Sequence, residues 1–153
     1  MGASSKLFQE VREKQGLVYS IYTSNMSLKD AGLFNIFAGA IENNLVKVVE
    51  TSMREISSLH DGTSDFDLNS IKEKTIGFYL LRSESTDSRM MQLGASYLRN
   101  GKVKSVDDVV NGIMDVSESQ IHKIAKTFEK NKTAITILGA SEDTRKKIDS
   151  ILD

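Results

Sequence analysis

Cysteine and proline are absent from this chain, and histidine occurs only twice. Without thiols there can be no disulfide framework and no thiolate metal site, and a reducing cytoplasm is the expected setting. The absence of proline suits long uninterrupted helices. No apolar run approaches the ~20 residues that a membrane span needs, so no membrane partner is expected. Met1–Ser5 lacks the charged-then-apolar pattern of a signal peptide. Charge of one sign is missing too: 20 Lys and Arg side chains stand against 21 Asp and Glu, which leaves no field to favour nucleic acid. What remains is 153 residues with 39% hydrophobic side chains, enough for a real core. With no repeat, linker or low-complexity tract, residues 1–153 read as a single domain.

The apolar spacing changes period along the chain. Ser4–Lys14 reads as a short helix with Leu7, Phe8 and Val11 on one face and Gly16 beyond its end. Leu17–Met26 and Leu33–Ala40 have strand composition, and Ser27–Gly32 between them supplies turn residues, so an antiparallel pair is expected. A helical stripe follows through Leu45, Val49, Met53, Ile56 and Leu59. Ser64 and Asp67 introduce a second helix through Leu68, Ile71 and Phe78 as a weak capping box, and the hydroxyl-rich Ser83–Ser88 breaks the helical stretch. Met90, Met91, Leu93 and Tyr97 mark a third helix, read as core-packed and closed by Asn100-Gly101. Short helices open at Ser105 and at Ser117, the latter with Gln120 completing a capping box. Thr133–Leu138 reads as a third strand and Glu142–Leu152 as a terminal helix. The fold class is α+β, a small, mainly antiparallel sheet covered by helices.

The segment from Ser5 to Tyr19 is the most specific. It joins Ser-Ser-x-Leu-Phe, Val-Arg-Glu-Lys (Val11–Lys14) and Gly-Leu-x-Tyr (Gly16–Tyr19) at fixed spacing. Arg12 stands near a helix end and offers a planar fork of donors suited to peptide carbonyls or a carboxylate. Tyr19 lies on the following strand, where its phenol can donate to an oxyanion as it forms. On residues alone, both read as surface or half-buried packing positions. The whole segment, however, resembles a helix-to-strand stretch in the C-terminal half of the pitrilysin and processing-peptidase family of zinc peptidases. Gly32-x-Phe34-x-Ile36, Glu84-Ser85-Thr86 with Arg89, and the late segment ending at Gly139 follow in the order that the family would show. The resemblance implies a half of a metallohydrolase, a fragment of a longer peptidase whose leading strand and helix precede this stretch. It also implies that Arg12 and Tyr19 reach across a chamber to help hold the substrate and the tetrahedral intermediate.

The family's zinc motif, His-x-x-Glu-His with a downstream glutamate, places two ligands on one helical face and a water-activating carboxylate between them. Neither His60 nor His122 has the partner histidine that this pattern needs, and both are read as solvent-facing. No cofactor is therefore expected in this chain, and zinc is expected on the absent N-terminal half. The acidic trio Asp61, Asp65 and Asp67 lacks the rest of a calcium loop and reads as a turn and helix start. Glycines 94, 101 and 112 form no phosphate-cradling pattern. The resemblance implies the substrate-side domain of a zinc endopeptidase, inactive alone, whose partners are the zinc-bearing half or a partner subunit and a peptide substrate. Self-association through strand edges is expected as well. The alternative is a non-catalytic partner domain for peptide binding or subunit assembly. Finding His-x-x-Glu-His upstream in the same reading frame separates the two.

Overall fold

Val11 has no exposed surface, and the first helix is organised around it. A computed structural model of the chain describes residues 5–128 and 133–152. Over Phe8–Lys14 the helix is wound as a π-helix, wider than the ordinary α-turn expected from the spacing. Gly16 then reverses the chain at φ +61°, a conformation that a side chain would strain. There the Gly16 N–H donates to the Arg12 carbonyl and the Leu17 N–H to the Val11 carbonyl, both at 3.0 Å.

The chain continues into β1 (Ser20–Ser27) and returns as β2 (Gly32–Gly39), which form a two-stranded antiparallel sheet. Leu17, Val18 and Ile21 turn inward with Val11 and meet Val48 of α1 (Leu45–His60), giving one aliphatic core. Fully burying each such side chain is worth roughly 1.5–3 kcal/mol, so this small cluster fixes the helix on the sheet. On the other side of β1 and β2, Tyr22 and Phe37 stack with ring centroids 4.9 Å apart. The terminal helix α6 (Glu142–Leu152) packs on α1 and buries Ile148 to 1% exposure.

Two compact units emerge: residues up to Met26 with Leu33–Ser64 and Ile121 onward, and Ser27–Gly32 with Asp65–Gln120. The second contains α2 (Leu68–Ser83), α3 (Thr86–Asn100), α4 (Val106–Met114) and the start of α5 (Glu118–Ala125). Its helix ends are set by side chains. Ser85 caps α3 through the Ser88 N–H, and Gly101 closes it at φ +68°. Ser105 and Asp108 form a reciprocal capping box on α4, and Ser117 and Gln120 exchange the same pair of bonds ahead of α5. The Lys72 ammonium donates to the Met114 carbonyl at 2.6 Å, tying α2 to the end of α4.

Three expectations are corrected. No strand is assigned over Thr133–Leu138 among the described residues, although Thr133, Ile135 and Ile137 are half-buried and the residues between them exposed. The period-2 burial is present, but pairing into the sheet is not. Met90 and Met91 are exposed rather than core, as is Leu98 at 80%; among the described residues, none of the fully buried apolar side chains belongs to the second unit. Ser64 takes no part in capping: Asp67 alone caps α2 by accepting the Ser70 N–H, while Ser64 accepts from Lys6.

Candidate functional site

Arg12 and Tyr19 each follow a residue that the core holds in place, Val11 and Val18. That neighbour relationship points both candidate side chains outward: Arg12 is exposed and Tyr19 is 71% exposed. Tyr19 is exposed but not loose at its backbone, because its N–H donates to the Gly39 carbonyl at 2.7 Å. Two residues earlier, the Leu17 carbonyl accepts the Asn44 side-chain amide at 3.0 Å. Asn44 thus braces the turn beneath Tyr19. Sequence reasoning missed this residue, because the partners lie 27 positions apart and no local pattern links them.

The donors themselves are unengaged. The Tyr19 hydroxyl makes no hydrogen bond among the described residues, and neither do the guanidinium donors of Arg12. Arg12 instead rests over the Phe8 ring, 4.9 Å from its centroid, a cation–π contact that fixes direction without consuming a donor. On the same helix Lys14 bonds to Glu10 and, chiefly through that hydrogen bond, lowers its carboxyl below the usual range. Tyr19 borders a shallow depression of about 110 Å³ with Gly16, Leu17, Ile41 and Asn44. At roughly 30 Å³ per water molecule, that is room for a few waters or one small group.

The histidines have other employment. His60 Nδ1 lies 2.6 Å from the Asp61 carboxylate. His122 is half-buried, not solvent-facing as its sequence context suggests, and its Nδ1–H donates to the Leu59 carbonyl at 2.8 Å, capping the end of α1. Among the described residues no three His, Asp or Glu side chains converge as a metal site. Among the described residues, the donor set does not fit a catalytic zinc. Asp61 and Asp67 of the acidic trio serve the turn and the α2 cap.

Residues 1–75 match the family model described as the Peptidase M16 inactive domain. An uncharacterized zinc protease of Bacillus subtilis, YmxG, is 33% identical over 139 residues, covering 90% of this chain and 34% of that protein. Another from Streptomyces coelicolor is 31% identical over 143 residues, 93% of this chain and 31% of that protein. A protease from Helicobacter pylori of known structure has the same fold at a TM-score of 0.66 and 23% identity, over 83% of this chain and 31% of that one. Over residues 1–75 the chain is similar to the inactive domain of the M16 peptidases, the pitrilysin and processing-peptidase group, and the relatives that match nine-tenths of its length are named zinc proteases. It spans about a third of the length of the curated relatives it matches.

Proposed function

We propose that this chain is the substrate-side domain of a zinc-dependent endopeptidase acting on peptides or proteins, silent alone, and a fragment of a longer protein. The zinc belongs, on this reading, to an N-terminal half of the same protein or to a partner subunit, and a cysteine-free chain suits a cytoplasmic setting. The observation that carries the reading is Tyr19. An aromatic residue 71% exposed, with its backbone pinned and its hydroxyl unengaged, is a poor contributor to a core and a ready donor to something outside the fold.

The roles divide by chemistry. The Arg12 fork holds substrate carbonyls or a carboxylate, and its planar donors fix orientation as well as charge. Tyr19 donates to the substrate carbonyl oxygen as negative charge develops there. That interaction strengthens toward the transition state and so acts on turnover more than on binding. The match to the M16 inactive domain and the zinc-protease names of the relatives support this assignment. Kinetics of the full-length protein with Tyr19→Phe test it: a fall in kcat with KM little changed is expected, and unchanged kcat returns Tyr19 to a surface role.

A further inference from the structure

The second unit contains a cavity of about 620 Å³, bordered by the hairpin tip at Ser27–Lys29, the end of α2 at Tyr79 and Ser83, and α3, α4 and the loop between them. Four cations line it, Lys29, Arg89, Arg99 and Lys104, and no carboxylate does. Chance segregation is a poor account of this, because the second unit as a whole contains more acidic side chains than basic ones. Like charges gathered around one low-dielectric concavity repel and focus a positive potential into it. Lys29 and Arg89 have no side-chain acceptor among the described residues. Arg99 bonds only through Nε, to the Ala95 carbonyl at 3.1 Å, which leaves its terminal donors free to face a ligand. The nearby Asp108 does not line the cavity and is engaged in the capping box, where it accepts the Ser105 N–H at 2.8 Å.

The remaining lining identifies what kind of anion would fit. Leu28, Leu93, Val103 and Val109 give the cavity an apolar wall, while Gln92 and Asn100 place amide oxygens beside amide N–H groups. A phosphate needs donors only; a peptide backbone needs donors and acceptors together. The wall is also pre-built, since Ser96 donates to the Lys102 carbonyl at 3.0 Å and accepts the Lys104 N–H at 3.3 Å, fixing the α3–α4 loop on α3. A cavity of this size lies within the range of ordinary ligand pockets, ~300–1,000 Å³.

We propose that this cavity docks a short peptide segment that carries carboxylates beside apolar side chains, an acidic-apolar anchor site separate from Arg12 and Tyr19. The proposal takes its ligand class from the peptide-handling reading above and rests on it. An amide NMR titration of the chain with the hexapeptide Glu-Leu-Glu-Leu-Glu-Leu tests it. Saturable shifts confined to the hairpin tip, to Tyr79 and Ser83 at the end of α2, and to residues 89–109 are expected. Lys29→Gln with Arg89→Gln should weaken binding on the order of tenfold, the size of one or two charge-assisted hydrogen bonds. Lys74→Gln, outside the cavity, should leave affinity unchanged, and the free variants' spectra report whether they fold. Binding that the double variant does not weaken, equal binding of Gln-Leu-Gln-Leu-Gln-Leu, or tripolyphosphate binding the same amides more tightly than the peptide would each overturn the assignment. These outcomes leave the Tyr19 kinetics untouched, so failure of this site and failure of the endopeptidase reading are separately visible.

Discussion

The Glu42 carboxylate accepts the backbone N–H of Ser141 at 2.8 Å, across 99 positions of sequence, and the Thr144 hydroxyl at 2.9 Å on the same oxygen. One side chain thereby joins the turn before α1 to the start of α6. The Ser141 bonds, with help from Thr144, hold the Glu42 carboxyl below the ordinary glutamate range. A carboxyl whose folded pKa is depressed stabilises the fold above its unfolded pKa and loses that contribution as pH falls through the folded value. Thermal unfolding of the chain and of Glu42→Gln should therefore differ near neutral pH, with the variant less stable, and converge only as pH falls through the depressed folded value, where the carboxyl is protonated in both states. A gap that stays constant into acid would show that the carboxylate charge plays no part.

The donor set argues for a second outcome. With His122 donating to Leu59 and His60 beside Asp61, no side chains are gathered to hold a metal ion among the described residues. The purified chain should bind no stoichiometric zinc and hydrolyse no peptide. One tightly held zinc per chain by metal analysis, or zinc-dependent turnover, would contradict this.

Much of the secondary structure was legible because its signals are local. The capping residues Ser105 and Ser117 and the closing Gly101 act within a few positions of themselves, and each behaves as its spacing implied. What failed depends on neighbours that spacing cannot supply. Ile135 and Ile137 alternate in burial like a strand, yet strand formation needs a partner edge. Met90 and Leu98 recur at helical spacing, yet a helical stripe is buried only where another surface covers it. At the candidate site, the positions of Arg12 and Tyr19 were legible from the motif. The brace from Asn44 and the cations of the second cavity, contributed by residues far apart in sequence, were not.

Self-association is a third expected outcome. A two-stranded sheet is marginal by itself in water. Beside this one, Met26, Leu33 and Phe37 are exposed, and no other strand pairs with β1 or β2 among the described residues. Strand edges of this kind add further strands, and a second copy is the nearest source. Light scattering over a dilution series should show mass above that of one chain at high concentration and a decline on dilution. A constant monomer mass, together with slow amide exchange throughout β1 and β2, would show that the hairpin is already protected.

The most direct test of the proposed function is the steady-state peptidase kinetics of the full-length protein carrying Tyr19→Phe, with Arg12→Lys beside it. Removing an oxyanion donor lowers kcat by on the order of 10²–10³, and Tyr19→Phe should fall in that range with KM nearly unchanged. Arg12→Lys should also impair the enzyme, since an ammonium cannot reproduce the guanidinium fork. Wild-type kcat and KM in both variants would contradict the assignment of this chain as the substrate-side domain acting through these two residues.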